Sequence, residues 1–168
     1  MRVYLIGFMG AGKTYWGKKL SQKMQLPFFD LDDEIQQYAS MSIAEIFAQE
    51  GEEYFRELEA NTLRSITNFH QKFIMSCGGG TPCYFKNIDL MKSSGVVVWL
   101  NTPTEVLMQR LIVEKANRPL IRDLTDEQLR SFIAKKMTDR AIYYEQAALK
   151  VDESTIDIDT MIKSILHV

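Results

Sequence analysis

The sequence predicts an α/β fold, a three-layer sandwich with helices covering both faces of a five-stranded parallel sheet. Three observations carry that expectation. Short apolar runs rich in β-branched residues alternate with helical patterns along the chain. The runs end in polar or glycine-rich loops, the edge at which such sheets bind ligands. The first run leads directly into Gly7-Phe8-Met9-Gly10-Ala11-Gly12-Lys13-Thr14, which fits G-x-x-x-x-G-K-[ST] at every fixed position.

Taken in order, Arg2-Val3-Tyr4-Leu5-Ile6 reads as a buried strand. Trp16, Leu20 and Met24 then recur at helical spacing over Tyr15 to Gln25. Leu26-Pro27-Phe28-Phe29 is a short strand ending in Asp30-Leu31-Asp32-Asp33, with a helix from about Glu34 to Tyr38 after it. Ser42-Ile43-Ala44-Glu45 has the form of a capping box and opens a helix through Gln49. Gly51 interrupts it, and a further helix carries Phe55, Leu58, Leu63 and Ile66. Lys72 to Ser76 is a third strand, followed by the loop Cys77-Gly78-Gly79-Gly80-Thr81-Pro82. A short helix with Leu90 and Met91 precedes the fourth strand, Gly95 to Leu100. Asn101-Thr102-Pro103 stops that strand, and Pro103 starts a helix through Leu111. Residues 112–124 are charged, contain Pro119 and lack a clear period, so they read as a mobile loop. Thr125-Asp126-Glu127-Gln128 caps a long helix to about Gln146, Ala148 to Val151 is a fifth strand, and Ile158 to Leu166 is an amphipathic helix.

The bulk properties are those of an ordinary single domain: 168 residues, 46% apolar, 25% charged. A net charge of −2 argues against a nucleic-acid partner. No apolar run approaches the roughly 18 residues of a spanning helix, so no membrane role is expected. The first strand starts almost at Met1, which leaves no room for a targeting peptide, and a cytoplasmic location is the expectation. Cys77 and Cys83 have neither disulfide-framework nor zinc-site spacing. With His70 they are assigned to packing or surface.

The phosphate loop sets the chemistry. Its glycines let consecutive N–H groups cradle phosphate oxygens, Lys13 supplies a point charge for the β- and γ-phosphates, and the Thr14 hydroxyl can ligate Mg²⁺. Asp30 and Asp32, two apart at a strand end, can point to one side. There one would serve a metal and the other accept a hydroxyl proton; alone, the pair could equally be a helix cap. Arg56, at the edge of an apolar helix face, is either a partner of Glu52, Glu53 or Glu59 or a bidentate clamp on a carboxylate. Arg140 has the same two readings. Gly78-Gly79-Gly80 is a tight turn, an anion-binding run of N–H donors, or both. Arg118, with Lys115 and Arg122 nearby, is solvated surface or a group that closes over a transferring phosphoryl group.

With those residues assembled, the chain resembles the shikimate kinases, a branch of the nucleoside-monophosphate-kinase-like P-loop enzymes, from Val3 to the last helix. The resemblance implies a P-loop kinase fold with a lid and transfer of the ATP γ-phosphate to the 3-hydroxyl of shikimate, in chorismate and aromatic amino-acid synthesis. It implies one Mg²⁺ with ATP as co-substrate, and a monomer. Gly10, Ala11, Gly12, Lys13, Thr14 and Tyr15 fall on the family's nucleotide-binding loop, with Thr14 and Asp30 at the metal. Asp30-Leu31-Asp32 matches its D-x-D, making Asp32 the base and a ligand of the shikimate hydroxyls. Gly51 to Glu59 resembles its G-E-x-x-F-R-x-x-E element, which puts Arg56 on the substrate carboxylate; Arg140 with Tyr144 resembles the R-x-x-x-Y that adds a second arginine. Gly78, Gly79 and Gly80 match its substrate-binding triple glycine. Arg118-Pro119-Leu120 matches the lid R-P-L, and Arg110 falls near adenine. By this likeness residues 33–61 form a shikimate-binding subdomain and 112–124 the lid. Tyr15 replaces the family's second Ser/Thr, and Cys77 precedes the glycines where Thr is common. A regulatory GTPase would need D-x-x-G and N-K-x-D, and neither occurs. Related kinases acting on gluconate or nucleotides share the loop and lid but leave Arg56, the glycine triplet and Arg140 unexplained.

Overall fold

A computed structural model describes residues 1–118 and 120–168 of the chain, so Pro119 of the Arg118-Pro119-Leu120 motif lies outside the described residues. Among the described residues five strands form one sheet: β1 Arg2–Ile6, β2 Phe28–Asp30, β3 Phe73–Ser76, β4 Val96–Asn101 and β5 Leu149–Asp152. Their order is β2-β3-β1-β4-β5, and every neighbouring pair is parallel. Seven α-helices accompany them among the described residues, the last following β5: α1 Lys13–Met24, α2 Leu31–Ala39, α3 Ile43–Phe69, α4 Asn87–Ser94, α5 Thr104–Glu114, α6 Asp126–Tyr144 and α7 Ile158–Leu166. Among the described residues no helix is long and apolar enough to cross a membrane.

The pleat of β1 divides the interior into two cores. Tyr4 and Ile6 point to one face, where they pack with Leu31, Ile35 and Phe55 of α2 and α3. Val3 and Leu5 point to the other, against Leu20, Leu107, Ile133 and Ile165 of α1, α5, α6 and α7. The buried Tyr4 hydroxyl is satisfied by Thr67 Oγ1 at 3.1 Å and Ser94 Oγ at 2.9 Å. All five strands point the same way, so their polar ends share one edge. There Asp30 is in register with Ser76, and the Cys77 N–H donates to the Leu5 carbonyl at 3.0 Å.

The expected elements are present, with differences that have local causes. The first helix starts at Lys13, not Tyr15, because Gly12 (φ 85°) turns the chain into it. The second begins at Leu31 directly behind an Asp30 cap, so Asp32 lies in a helical first turn rather than on an extended strand. Both expected capping boxes form, Ser42 with Glu45 and Thr125 with Gln128. Gly51 (φ 85°, ψ 174°) breaks the helical path inside α3. The stretch 112–124 is not a structureless loop. α5 continues to Glu114, a 3₁₀ turn covers Lys115–Asn117, and Ile121 is 0% exposed in the second core. Burial of that one side chain anchors a segment whose charge pattern hid it.

Candidate active site

The phosphate loop leaves β1 and enters the N-terminus of α1, where unpaired helix N–H groups and the helix dipole favour anions. Lys13 Nζ folds over the loop and donates to the carbonyls of Gly7 (2.9 Å) and Phe8 (2.8 Å). Burial lowers its pKa to about 8, and the nearby Asp32 carboxylate limits the fall. The Thr14 hydroxyl donates to Asp30 Oδ2 at 2.6 Å and lies 3.3 Å from Ser76 Oγ. Tyr15 is 57% exposed on the same cavity, and Ala11 is buried, offering the loop only its backbone. Arg110 donates to the Gly10 carbonyl, and Arg118 pairs with Glu114 through Nε at 2.8 Å and also through Nη2. Together these residues line a cavity of 480 Å³ that also reaches Gly12, Gly78, Gly79 and Glu153.

The oxygen cluster of Thr14, Asp30 and Ser76 fits a hard divalent cation. Among the described residues no group of three His, Cys, Asp or Glu could hold a metal. A cation there would take its other ligands from phosphate and water, which is how Mg²⁺ is usually bound at nucleotide sites.

A second cavity of 340 Å³ adjoins the first, and both are lined by Met9, Asp32, Gly78, Gly79 and Arg118. Its own walls include Ile43, Phe47, Phe55, Arg56, Gly80, Leu120 and Arg140. Arg56 is buried, with Nη1 2.8 Å from Glu59 Oε2 and Nε 3.5 Å from Glu52 Oε1, and its guanidinium lies 4.4 Å from the Tyr84 ring centre. Glu59 also accepts from Thr81 Oγ1 at 2.6 Å, so this ion pair is tied to the turn after the glycines. Arg140 sits over Phe8, and its neighbour Tyr144 donates to the Gly79 carbonyl at 2.6 Å. Arg56 Nε and Arg140 Nη1 are buried with no hydrogen-bond partner among the described residues. Two arginines with spare donor capacity in the wall of one cavity supply the chemistry that an anion requires. Arg56 is thus an ion-pair partner, as one of its two sequence readings has it, and it also lines the second cavity.

Asp32 stands where the cavities meet. Burial, with the like charges of Asp30 and Glu59, raises its pKa to about 6, against the pull of Lys13 and Arg56. A carboxylate so placed is ionised at neutral pH yet basic enough to accept a proton.

Every residue expected at the site, apart from the inward-facing Ala11, lines one cavity or both. Sequence reasoning missed Ser76, Glu153 and Glu114 as lining residues. Ser76 was within reach, since it is the last polar residue of a strand whose end points at the site. Glu114 stands four before Arg118, the spacing of a local ion pair, whereas Glu153 carries no local signal and only the fold brings it to the phosphate loop.

Comparison with known proteins agrees with this geometry. The family model described as shikimate kinase matches residues 9–168. A shikimate kinase of Azobacteroides pseudotrichonymphae is 39% identical over 165 residues, 98% of this chain and 97% of that protein. The crystal structure of a shikimate kinase from Bacteroides thetaiotaomicron superposes with a TM-score of 0.87 at 36% identity, covering 99% of this chain and 95% of that one. The Acinetobacter baumannii shikimate kinase, solved in complex with shikimate, gives 0.86 at 31% identity over 99% and 90%. With a matched family model over nearly its whole length and relatives of this closeness, the chain belongs to the shikimate kinase family.

Proposed function

We propose that the chain transfers the γ-phosphoryl group of ATP to the 3-hydroxyl of shikimate, giving shikimate 3-phosphate and ADP, as a cytoplasmic monomer supplying chorismate and aromatic amino-acid synthesis. The observation that carries this reading is the pair of guanidinium donors without a hydrogen bond among the described residues, Arg56 Nε and Arg140 Nη1, in the wall of a cavity that shares Asp32 with the phosphate-loop cavity.

In this reading the larger cavity takes ATP. Gly10 to Thr14 cradle the phosphates, Tyr15 and Arg110 flank the nucleoside, and Thr14 and Asp30, with Ser76 beside them, hold one Mg²⁺. The bound ion would neutralise charge on the β- and γ-phosphate oxygens. The smaller cavity takes shikimate, its carboxylate between Arg56 and Arg140 and its ring against Gly78, Gly79 and Gly80. Asp32 accepts the proton of the 3-hydroxyl as that oxygen forms its bond to the γ-phosphorus and the bond to the ADP oxygen breaks. Lys13 releases the Gly7 and Phe8 carbonyls to follow the transferring group, and Arg118 exchanges Glu114 for phosphate when residues 112–124 close as a lid. Residues 33–61 act as the shikimate-binding subdomain.

An ATP-consumption assay over shikimate, quinate, gluconate and AMP tests the assignment. Turnover is expected with shikimate well above the other three. Preference for gluconate or AMP would reject it.

A further inference from the structure

A ring of contacts closes one end of the larger cavity. Arg110 donates through Nη1 to the Gly10 carbonyl at 3.0 Å and through Nη2 to Glu153 Oε2 at 2.9 Å. The other oxygen of Glu153 accepts from the Trp16 indole at 3.1 Å, and the Trp16 backbone N–H donates to the Gly12 carbonyl at 2.9 Å. Three separate parts of the chain are thereby tied to the phosphate loop: the start of α1, the middle of α5 and the turn after β5. The Glu153 side chain is only 8% exposed, and a Cβ on Gly12 would stand 3.4 Å from its Oε1.

A carboxylate packed against a phosphate loop opposes the anion that the loop attracts, unless its charge is committed elsewhere. Here it is committed to Arg110. A guanidinium held by two acceptors on different elements has its plane fixed, and a fixed guanidinium plane is a stacking surface for a purine. Arg110 and Glu153 both line the cavity, and the Arg110 side chain keeps 38% of its surface open for a ligand.

We propose that Glu153 is a positioning residue for the nucleotide base: it holds Arg110 flat at the end of the cavity, and the base stacks on that plane. This rests on the nucleotide reading of the larger cavity. Glu153 touches neither the transferring phosphoryl group nor shikimate, and its effect belongs to the base alone.

The test compares two probes, ADP and inorganic tripolyphosphate, which offers phosphates without a base. Binding to the full chain is measured by calorimetry for the parent and for Glu153→Ala, Glu153→Gln and Arg110→Ala. Glu153→Ala should weaken ADP by about tenfold or more and leave tripolyphosphate unchanged or slightly tighter, since a nearby negative charge is gone. The KM for ATP should rise in step, with kcat and the KM for shikimate within about twofold of the parent. Added to Arg110→Ala, the substitution should cost less than about twofold more, because the residue it positions is gone. Glu153→Gln keeps the shape, should fold where Ala does not, and should show the same split between probes. Equal losses for ADP and tripolyphosphate would mean that Glu153 only shapes the loop, and would overturn the proposal. Unchanged ADP binding, or a full effect without Arg110, would overturn it as well. A parent chain that binds no ADP would instead reject the nucleotide reading itself.

Discussion

The Thr14 hydroxyl donates a 2.6 Å hydrogen bond to Asp30 Oδ2, joining the end of the phosphate loop to the cap of α2. The other Asp30 oxygen accepts from the Asp32 N–H at 3.2 Å, so this carboxylate both faces the proposed metal site and starts the helix that carries Asp32. The two duties can be separated. Asp30→Ala should lose activity together with about 1 kcal/mol of stability from the missing cap. Asp30→Asn keeps an N-capping oxygen, so it should stay near the parent in thermal melting while requiring far more Mg²⁺ for turnover. Titration of activity against Mg²⁺ checks this; an unchanged Mg²⁺ requirement in a folded Asp30→Asn would remove Asp30 from the metal site.

Asp32 should trade stability for catalysis. Its folded pKa, about 6, lies above the ordinary 3.8, so the folded state holds the proton more tightly than the unfolded chain. The stability this contributes is full below pH 3.8 and lost as pH rises through about 6. At neutral pH the ionised carboxylate is therefore a cost, on the order of 1–2 kcal/mol once its partial exposure is allowed for. Asp32→Asn should raise Tm by roughly 2–6 °C at pH 7.5 and lower kcat by about 10²–10⁴. A variant with lowered Tm, or with near-normal turnover, would count against a strained general base.

Much of this site could be read from the chain because its parts are local in sequence. The phosphate loop, the Asp30–Asp32 pair and the glycine triplet each follow a strand, and parallel strands bring their ends to one edge whatever the details of packing. What escaped was long-range. Glu153 reaches the loop only because β5 lies beside β4, and the Glu59–Thr81 contact depends on how α3 crosses the sheet. Ile121 is buried in a charged stretch whose Ile112, Val113 and Leu120 are exposed, so the apolar residues there show no period that would mark it. Asp32 is directed by a helix start and not by the pleat of a strand, and a two-residue spacing does not tell those apart.

The pH dependence of kcat/KM should be bell-shaped, because it reports the free enzyme. The acid limb should fall near 6, where Asp32 takes up its proton, and the alkaline limb near 8, where buried Lys13 loses its charge. Bound phosphates favour the charged lysine, so in kcat the alkaline limb should move upward. A kcat/KM still rising beyond about pH 9 would mean that Lys13 charge is not needed for capture of ATP.

Arg118 should matter more to turnover than to binding. In this structure it is committed to Glu114, so under the proposed function its contact with phosphate is made on closure. Arg118→Ala is expected to lower kcat by about 10²–10³ with little change in the affinity for shikimate. Trypsin should cut near Lys115 and Arg122 more slowly when ADP and shikimate are both present. Equal cutting with and without ligands, with normal kcat in the variant, would end the lid assignment.

Gly80 offers the most direct test of the carboxylate site. Its backbone (φ −93°, ψ −12°) suits any residue, so no conformational demand explains a glycine there. Close approach does: a Cβ would stand 2.7 Å from Arg56 Nη2 and 2.8 Å from Nη1. The guanidinium cannot move aside cheaply, since Glu59 holds it at 2.8 Å and the Tyr84 ring lies 4.4 Å away. Gly80→Ala should therefore displace Arg56 without unfolding the turn. If each charged hydrogen bond to the substrate is worth about 1.5–3 kcal/mol, shikimate binding should weaken by roughly 10- to 150-fold with ATP binding unchanged. Arg56→Lys should act in the same direction, because an ammonium lacks the planar fork. A shikimate analogue without the carboxylate should bind the parent poorly, and neither substitution should weaken it much further. The double cycle of variant against analogue decides the matter. Simply additive losses would mean that Arg56 contacts some other part of the molecule, and the carboxylate site would have to be sought around Arg140 alone.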